Sequence, residues 1–549
     1  MTDLSADVVI VGAGPVGLTL AMELDRHGVS TLIVEKRRAG EPPSVKCNHV
    51  SARSMEIFRG LGIADDIRAT GLPDDYPHSV SYRTTLTGRE IACVPIPSRA
   101  GRERGDPGPD TDWPTPEPPH RINQIYLEPV LFEAALARSG ITVLNEAEVT
   151  DFTQSAGGVR VEIRGAGGEA LSAQGRYLVG CDGGRSMVRG AIGAKLRGDA
   201  VVQRVQSTYI RAPGLIDLME VPPTWGMFAF NPVRTGVVYS IDGRETWLVH
   251  NYLRDDEADF DSIDRDWAIR QILGVDDDFE FDMLAREDWF GRRLVSDKLR
   301  EGNVFICGDA AHLWVPYAGY GMNAGIADAH NLAMHMGGVF AGWADPRSLD
   351  AHEAERLPIT EQVSYFAMNH AHEMARKRKA VPPEIDDDTP EGAAARETAG
   401  RALYDLNVQQ YCCAGLNFGY YYDASPLIAK DGTPPPYTMG SFTASTVPGA
   451  RLPNVQVEAE RWLYDVQGDR FALVRTDTSV DVDALLDAAR AAGLPITLID
   501  LPDAPAPYAE ALVLARPDNH IAWRGNALPP DPEALVALLR GARMAEVAA

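Results

Sequence analysis

The pattern of apolar and polar residues at the start of the chain predicts a strand, a helix and a second strand. Asp7 to Val11 is a β-branched apolar run, which indicates a buried parallel strand. Leu18 to His27 has helical character and Gly28 ends it, and Thr31 to Val34 forms the next strand, which finishes at Glu35. Two strands joined in this way by a helix predict a βαβ unit.

The same pattern divides the rest of the chain into sheet and helix regions. Apolar–polar alternation predicts a hairpin over 79–95 and more sheet over 200–285, while a Pro-, Asp- and Gly-rich stretch predicts a surface loop over 101–119. The remaining predicted elements are strands at 142–145, 159–163, 177–179 and 303–307, and helices at 54–61, 121–136, 326–336, 349–380 and 393–412. A linker rich in Pro, Gly, Ser and Thr covers 424–454, and a strand–helix–strand pattern returns from Trp462.

The turn between the first strand and helix has the spacing of a dinucleotide-binding loop. It reads Gly12-Ala13-Gly14-Pro15-Val16-Gly17. Gly12 suits the tight turn, Gly14 lets a pyrophosphate approach the backbone, and Gly17 lets the helix pack on the strand. Glu35 is placed to accept a hydrogen bond from a ribose hydroxyl. Together these features predict a dinucleotide site with its phosphates at the helix N-terminus.

Length and charge restrict the classes of protein that fit. With 549 residues, 45% hydrophobic and 24% charged, the chain is typical of a globular protein of several domains. Its net charge of −26 argues against nucleic-acid and anionic-membrane partners. There is no apolar span of 18 residues, and Asp3 and Asp7 stand where a signal peptide would be basic. Six cysteines without zinc spacing predict reduced thiols in a cytoplasmic protein and no metal site.

Two more loops rich in Gly and Asp follow buried strands. The first is Cys181-Asp182-Gly183-Gly184-Arg185-Ser186, and the second is Cys307-Gly308-Asp309-Ala310-Ala311-His312. In a doubly wound sheet, the loops after the strands meet at one crevice, where ligands bind. We therefore expect these loops and the glycine turn to border one site.

Three stretches of the chain resemble the single-component FAD-dependent aromatic hydroxylases, the family of para-hydroxybenzoate, phenol and polyketide hydroxylases. They are DVVIVGAGPVGLTLAMELDRHG, CDGGRSMVR and GDAAHLWVPYAGYGMNAGIADAHNLA. The similarity continues through SARSMEIFRGLGI, RINQIYLEPVL and GLNFGYYYDASPLI, so it covers essentially the whole chain. The resemblance implies hydroxylation of a phenolic or other electron-rich aromatic substrate through a C4a-hydroperoxyflavin, with NAD(P)H and O₂. FAD would be held tightly but without a covalent bond, NAD(P)H would visit transiently, and the protein would be a homo-oligomer, a dimer.

The resemblance also implies which residues contact FAD. They are Gly12, Gly14, Pro15, Val16, Gly17, Glu35, Lys36, Arg53, Gln124, Asp182, Gly183, Asp309, Gly319, Gly321, Met322 and Asn323. Arg53 and Gln124 would contact the pyrophosphate and ribityl region, and Asp309 would accept hydrogen bonds from the ribityl side. The helix start from Gly319 to Asn323 would point N–H groups at the flavin N1/C2=O edge, where fixed donors stabilise negative charge.

The implied catalytic residues are Pro316, Gly321, Met322, Asn323, Asn48, His49 and Arg121. Some relatives place a His where this chain has Asn48, so the residue that activates the phenol stays open. The candidates for it are His49, His120, Arg121, Tyr239, Tyr252 and Trp225. His312 stays open between a structural and an acid–base role.

Missing motifs exclude some related classes. The chain has one dinucleotide fingerprint and no redox cysteine pair, which excludes a two-dinucleotide disulfide reductase. It also lacks the Trp-x-Trp-x-Ile-Pro motif expected of flavin halogenases. The remaining alternatives are a Baeyer–Villiger or epoxidising monooxygenase on a polycyclic polyketide-like substrate, a flavoprotein dehydrogenase or oxidase, and an FAD-stabilised binding protein.

The predicted fold class is α/β, with a Rossmann-like FAD-binding domain, an interleaved antiparallel-sheet substrate domain and a C-terminal thioredoxin-like domain. The predicted bounds are 1–75, 119–198 and 286–370 for the FAD-binding domain, 76–118 and 199–285 for the substrate sheet, 371–430 for a helical segment and linker, and 431–549 for the thioredoxin-like domain. The last domain rests on the resemblance of PGARLPN, LVRTD, GLPITLIDLP and VLARPDNHIAWRG. No cysteine follows Cys413, so this domain cannot exchange disulfides.

Overall fold

The structure is a computed structural model, and it describes residues 3–46 and 48–542. The strands are β1 (Asp3–Ser5), β2 (Val8–Val11), β3 (Thr31–Val34), β4 (Val80–Arg83), β5 (Glu90–Val94), β6 (Ile141–Leu144), β7 (Glu148–Ser155), β8 (Gly158–Arg164), β9 (Ala170–Gly175), β10 (Tyr177–Gly180), β11 (Leu196–Arg211), β12 (Gly226–Ala229), β13 (Gly236–Ser240), β14 (Thr246–Tyr252), β15 (Asp282–Ser296), β16 (Arg300–Glu301), β17 (Val304–Ile306), β18 (His312–Trp314), β19 (Gln456–Glu458), β20 (Arg461–Trp462), β21 (Phe471–Arg475), β22 (Ile496–Asp500), β23 (Leu512–Ala515) and β24 (Ile521–Gly525). The helices are α1 (Pro15–Arg26), α2 (Ala52–Gly60), α3 (Ala64–Arg68), α4 (Arg99–Arg104), α5 (Gln124–Leu136), α6 (Met187–Ala191), α7 (Arg265–Leu273), α8 (Tyr320–Phe340), α9 (Asp350–Lys379), α10 (Pro390–Tyr411), α11 (Ala414–Phe418), α12 (Leu463–Gln467), α13 (Asp483–Ala491) and α14 (Pro532–Leu539).

A six-stranded sheet carries the predicted βαβ unit. Its strand order is β16-β17-β10-β2-β3-β6, and all neighbours from β17 to β6 are parallel. Every residue of β2 and β3 is buried, as expected of strands covered on both faces. Helix α1 begins at Pro15, three residues before the predicted Leu18, because proline is favoured in the first turn of a helix. Helices α1 and α8 pack against each other beside this sheet.

The second large sheet has eight strands in the order β18-β15-β11-β14-β13-β12-β4-β5. Its longest pair is β11 with β15, antiparallel from Leu196 opposite Ser296 to Arg211 opposite Asp282. Strand β15 therefore crosses position 286, where the FAD-binding domain was expected to resume, and the sheet continues to Ser296. Helix α7 lies within 200–285, which was predicted as sheet alone, and the Asp264 side chain caps it by accepting from the Trp267 N–H at 2.7 Å.

Three local predictions were wrong. Helix α4 occupies the start of the predicted loop at 101–119, because the Ser98 hydroxyl caps it by accepting from the Gly101 N–H at 3.0 Å. Helix α8 begins at Tyr320 and not at Ile326, so the glycine-rich segment is itself helical. Strands β7 and β9 were missed, and they join β8 and β1 in a separate four-stranded sheet.

The C-terminal unit has a four-stranded sheet in the order β22-β21-β23-β24. Strands β21 and β22 are parallel and joined through α13, while β23 and β24 are antiparallel. This strand–helix–strand unit followed by a hairpin and α14 is consistent with the expected thioredoxin-like domain. Residues 424–454 before it contain neither helix nor strand, as predicted for a linker.

A buried ionic cluster docks the C-terminal unit onto α8 and α9. Arg516 donates to both carboxylate oxygens of Glu355, at 2.9 Å for the Nη2–Oε2 pair, and to Asp518 at 2.5 Å. Asn331 on α8 donates to Glu355 at 2.7 Å and to Asp518 at 3.2 Å. The Arg516, Glu355 and Asp518 side chains are at most 2% exposed, so the cluster is removed from water.

Among the described residues, no helix combines the length and the apolar character needed to span a bilayer. The cysteines at 93, 181, 307, 412 and 413 are free thiols, and Cys47 lies outside the described residues. Within the same part of the chain, no group of three or more His, Cys, Asp or Glu side chains is arranged to hold a metal ion.

Candidate active site

The glycines in the turn between β2 and α1 allow backbone segments to pack closely and leave open space for a ligand. Gly12 has φ of +104°, and a Cβ there would lie 2.5 Å from the Cys181 carbonyl oxygen. A Cβ on Gly17 would lie 2.1 Å from the Gly12 oxygen, so Gly17 allows the helix to pack on the turn. No protein atom lies within 4 Å of a Cβ built on Gly14, and no side chain caps α1. The turn thus combines orphan N–H groups with open space, which suits a pyrophosphate.

Val16 and Pro15 hold this turn in place. A Cβ on Gly308 or Gly325 would lie within 2.9 Å of Val16 Cγ2, so Val16 packs tightly between the third loop and α8. Pro15 is buried at the first position of the helix. Both residues, predicted as cofactor contacts, therefore shape the backbone around the site.

Glu35 is bound to the glycine turn. Its Oε2 accepts from the Ala13 N–H at 2.7 Å, and its Oε1 accepts from the Arg37 N–H at 2.9 Å. A carboxylate has about four acceptor positions, so capacity for a ribose hydroxyl remains. Lys36, predicted beside it, is exposed, whereas Arg37 donates to Glu128 at 2.8 Å. The sequence analysis missed Arg37.

The side chains of Gln124 and Arg53 point to protein partners. Gln124 donates from its amide to Glu128. The Arg53 guanidinium lies 3.3 Å from His520 Nε2 and 4.9 Å from the centre of the Tyr420 ring. Their predicted contacts with the pyrophosphate stay predictions, and for Arg53 the structure shows a role in holding the C-terminal unit.

The loop after β10, which contains Asp182, lies close to the glycine turn, but the Asp182 carboxylate already accepts hydrogen bonds from the protein. The Cys181 N–H donates to the Val11 oxygen at 2.9 Å, which joins the ends of β10 and β2. The Asp182 carboxylate accepts from the Ser186 hydroxyl at 2.5 Å and from the Met187 N–H at 2.7 Å, so it caps α6. Gly183 has φ of +77° with no atom near its Cβ position. Of the two predicted residues, Gly183 is the one with open space beside it.

The loop after β17 places Asp309 at the cavity that lies between the cofactor loops and the eight-stranded sheet. Its side chain is exposed there and takes part in no hydrogen bond with the described residues. His312, by contrast, is 1% exposed and its Nε2 lies 3.0 Å from Asp328 Oδ2. Arg356 donates to the other Asp328 oxygen at 2.7 Å and, with His312, holds the pKa of Asp328 below its usual range despite burial. This geometry favours the structural role for His312.

The start of α8 faces the cleft with unpaired N–H groups. Gly319 precedes the helix with φ of +59°, and no side chain caps it. Gly319, Gly321 and Met322 line the cleft, and so does Pro316. Because the first N–H groups of a helix have no partner within it, this end offers donors to a ligand.

The side chain of Asn323 has a structural role, and the contact predicted for its backbone N–H with the flavin stays a prediction. Its Oδ1 accepts from the Ser51 N–H at 2.8 Å and the Ser54 hydroxyl at 2.7 Å. Its Nδ2 donates to the His49 oxygen at 3.1 Å and to the Gly319 oxygen at 2.6 Å. All four hydrogen-bonding positions of the amide are used. Asn323 therefore ties α8 to the segment before α2, and its side chain is not free for the cofactor.

A cavity of about 310 Å³ lies between the cofactor loops and the eight-stranded sheet. Eight of the lining residues are Trp, Tyr or Phe, and three of these eight were candidates from the sequence. The residues that line it are Val45, Lys46, Asn48, His49, Arg121, Gln203, Ser207, Trp225, Phe228, Tyr239, Leu248, His250, Tyr252, Glu287, Trp289, Asp309, Trp314, Pro316, Tyr317, Gly319, Gly321, Met322, Gln410 and Tyr411. All four predicted catalytic residues outside α8 (Asn48, His49, Arg121 and Pro316) line it.

The structure narrows the candidates for phenol activation. His120 does not line the cavity. Burial raises the pKa of Tyr239 and Tyr252 well above the usual range, so both hydroxyls stay protonated. The Trp225 indole can only donate. His250, which the sequence analysis missed, lines the cavity, and burial lowers its pKa to about 4.

Comparison with known proteins identifies the class. Residues 5–367 match the family model described as FAD binding domain, so the chain belongs to that family. It is 29% identical to the FAD-dependent monooxygenase apdD of Emericella nidulans, covering 96% of this chain and 88% of that protein. It is 27% identical to a phenol 2-monooxygenase of Pseudomonas sp., covering 98% and 93%. It also resembles the structure of the rebeccamycin biosynthetic enzyme RebC with reduced flavin, with a TM-score of 0.89, 30% identity and coverage of 99% and 100%.

These similarities confirm the predicted family, the mixed α/β fold, the FAD cofactor and the class of FAD-dependent monooxygenase. The residues of the site fit FAD on independent grounds. Open space at Gly14 and uncapped N–H groups at α1 suit its phosphates, Asp309 has a free carboxylate, and the start of α8 has free donors.

Asp309→Ala is expected to weaken FAD binding about 10- to 150-fold. Loss of a charge-assisted acceptor costs about 1.5–3 kcal/mol, which corresponds to that factor. FAD titration into apoprotein, followed by flavin fluorescence, measures the change. Asp151→Ala on the exposed face of β7 is the control and should bind FAD as the wild type does. Unchanged affinity in Asp309→Ala would remove Asp309 from the cofactor site.

Proposed function

We propose that this protein hydroxylates an electron-rich aromatic compound in the cavity between the cofactor loops and the eight-stranded sheet. The observation that supports this most is the aromatic cavity itself, which reaches Asp309 and the first turn of α8. Its volume of about 310 Å³ is that of a small-molecule site. Trp225, Tyr239 and Trp289 offer ring faces against which a flat substrate can pack.

Different residues are proposed to bind the different parts of the cofactor. When bound, FAD supplies the transfer of one oxygen atom from O₂ with electrons from NAD(P)H. Gly14 and the N-terminus of α1 would hold its phosphates, and Glu35 would hold its ribose. The N–H groups of Gly321 and Met322 would stabilise negative charge on the flavin edge without reorganising.

The aromatic wall orients the substrate and excludes water. Because burial keeps Tyr239, Tyr252 and Tyr411 protonated, their hydroxyls can donate to an oxygen of the substrate. Arg378 donates to the Tyr317 hydroxyl at 3.1 Å, so the proton of Tyr317 is also free to point inward. Removing water from the cavity protects the reactive oxygen from wasteful release as peroxide.

The decisive experiment measures NAD(P)H oxidation by the FAD-loaded protein with a panel of phenols and polycyclic aromatics. We expect a phenol to accelerate oxidation and to appear as hydroxylated product in a 1:1 ratio to NAD(P)H. A Gly14→Val preparation without FAD is the control. Oxidation that yields only hydrogen peroxide with every compound would favour an oxidase, and a lactone or epoxide product would favour the Baeyer–Villiger or epoxidising alternative.

The proposal includes a homodimer and a cytoplasmic location, both as predictions from the sequence. Sedimentation velocity at two protein concentrations tests the dimer. A monomer at both concentrations would refute it.

A further inference from the structure

Arg121 is a buried cation without an anionic partner. The side chain lines the cavity, and the residue is only 2% exposed. Its guanidinium donates to His49 Nδ1 and, at 3.4 Å, to the Tyr411 carbonyl oxygen, and it lies 4.6 Å from the centre of the Trp225 ring. None of these groups carries a negative charge. No carboxylate of the described residues lies within 4.0 Å of it.

The acidic side chain that acts most strongly on Arg121, that of Asp110, is already paired with another arginine. Asp110 accepts from Arg102 at 2.5 Å and from the Trp113 indole at 2.6 Å. Asp110 is thus bound directly by Arg102, and it acts on Arg121 only through space and not in a direct ion pair. Burial lowers the pKa of Arg121 from its ordinary value, and Asp110 offsets that effect only in part.

Two other buried arginines of this chain have a fuller set of partners. Arg356 is 1% exposed and pairs with Asp328 at 2.7 Å. Arg83, with no carboxylate beside it, donates to the oxygens of Leu86, Val221 and Pro222 at 2.6–3.1 Å and to the Ser81 hydroxyl at 2.9 Å. Arg121 has two partners where Arg83 has four. Of these three arginines, Arg121 is the one that has neither a carboxylate partner nor a full set of carbonyl acceptors, and it is the one that lines the cavity.

An unpaired charge in such a place costs free energy unless a ligand supplies the opposite charge. We infer that Arg121 is the counter-ion of an anionic oxygen on the aromatic substrate, a phenolate or an aryl carboxylate. This inference rests on the proposed function, because it takes the cavity to be the substrate site. It narrows the substrate from electron-rich aromatics to those that bind as anions.

His49 is a positioning residue in this arrangement. A guanidinium can only donate, so His49 Nδ1 accepts and the ring proton sits on Nε2. Burial, and Arg121 beside it, hold the pKa of His49 well below the usual range. The lone pair on His49 Nδ1 already accepts a hydrogen bond from Arg121, so the neutral imidazole cannot also accept a proton from the phenol. His49 therefore fixes the guanidinium and is not the activating base.

The test compares matched charged and neutral probes on the FAD-loaded protein, by the change in flavin absorbance on titration. The carboxylate arm uses 3-hydroxy-2-naphthoate against its methyl ester. The phenolate arm uses 4-nitrophenol against 4-nitroanisole, and the phenolate band of 4-nitrophenol reports its ionisation. We expect the wild type to bind one of the anions at least about 10-fold tighter than its neutral partner.

Arg121→Met should lose this preference by weakening the anion about 10-fold or more, while the neutral partner binds within about 2-fold of wild type. Arg121→Lys keeps the charge and should keep part of the preference. Arg211→Met, which breaks a half-exposed pair with Glu245 away from the cavity lining, is the control and should bind all probes as the wild type does. Because the variant removes an unpaired buried charge, Arg121→Met without ligand should melt at or above the wild-type temperature.

Three results would overturn the inference. They are equal binding of acid and neutral probes by the wild type, an intact preference in Arg121→Met, and an unfolded Arg121→Met, which would show that Arg121 supports the fold. These outcomes do not depend on turnover. A preference for anions without hydroxylated product would refute the proposed reaction but not the Arg121 site. Hydroxylated product without a preference for anions would refute the Arg121 site but not the proposed reaction.

Discussion

Gly14→Val is expected to give a folded protein that does not retain FAD. Gly14 has φ of −77° and ψ of 178°, an extended conformation that valine adopts without strain. No protein atom lies within 4 Å of its Cβ position, so the valine meets no part of the fold. It does fill the space through which a pyrophosphate reaches the N–H groups of α1. The pyrophosphate would then lose charge-assisted hydrogen bonds from these N–H groups. Losing two of them costs about 3–6 kcal/mol, or roughly 10²- to 10⁴-fold in FAD affinity.

The measurement is the ratio of flavin absorbance to protein absorbance after purification, followed by FAD titration of the apoprotein. Circular dichroism checks the fold. Gly190→Val is the matched control, because Gly190 is exposed and its Cβ position is equally free of neighbours. A yellow Gly14→Val protein with full FAD occupancy would place the phosphates elsewhere.

Arg516→Met is expected to lower the free energy of unfolding by about 3–5 kcal/mol, because it leaves carboxylates buried without their cation. Both Glu355 and Asp518 have side chains that are 0% exposed, and Arg516 neutralises them together. Arg516 also holds the pKa of Glu355 well below its usual range against the effect of burial. Since the cluster joins α8 and α9 to the C-terminal unit, we expect the interface between them to loosen first.

Urea unfolding followed by tryptophan fluorescence measures this change. Arg475→Met in the same unit breaks a partly exposed pair with Asp500 and should cost no more than about 1 kcal/mol. A double variant, Arg516→Met with Glu355→Gln, should recover part of the loss because one stranded charge is gone. Equal stability of Arg516→Met and Arg475→Met would mean that the cluster does not hold the unit in place.

The parts of the site that depend on local backbone were predictable from the sequence. The turn at Gly12 and Gly17 follows from spacing, because a left-handed φ and a close backbone contact each require glycine. The strands β2 and β3 follow from their nearly continuous apolar runs, since strands that are buried on both faces are mostly apolar.

The parts that depend on distant contacts were not predictable. The side chain of Asn323 is saturated largely by a segment about 270 positions away, and Arg53 contacts His520, about 470 positions away. Nothing in the local sequence signals these pairs. Gln410 and Tyr411 reach the cavity from the end of α10, which periodicity identified as a helix without indicating its neighbours.

Two cavity residues did carry a local signal. Trp314 and Tyr317 lie between Asp309 and Gly319, which were both assigned to the cofactor, and large aromatic rings beside a cofactor loop are candidates for a substrate wall. His250 carried none, because one His in an alternating strand does not reveal which face of the sheet it occupies.

The four hydrogen bonds of Asn323 have a consequence for engineering this enzyme. They join the cofactor-facing end of α8 to the backbone of His49, the residue that fixes Arg121. A substitution introduced at the start of α8 to retune the flavin will therefore also shift the selectivity for substrates. We therefore expect redesign to succeed better when the start of α8 and the segment around His49 are varied together.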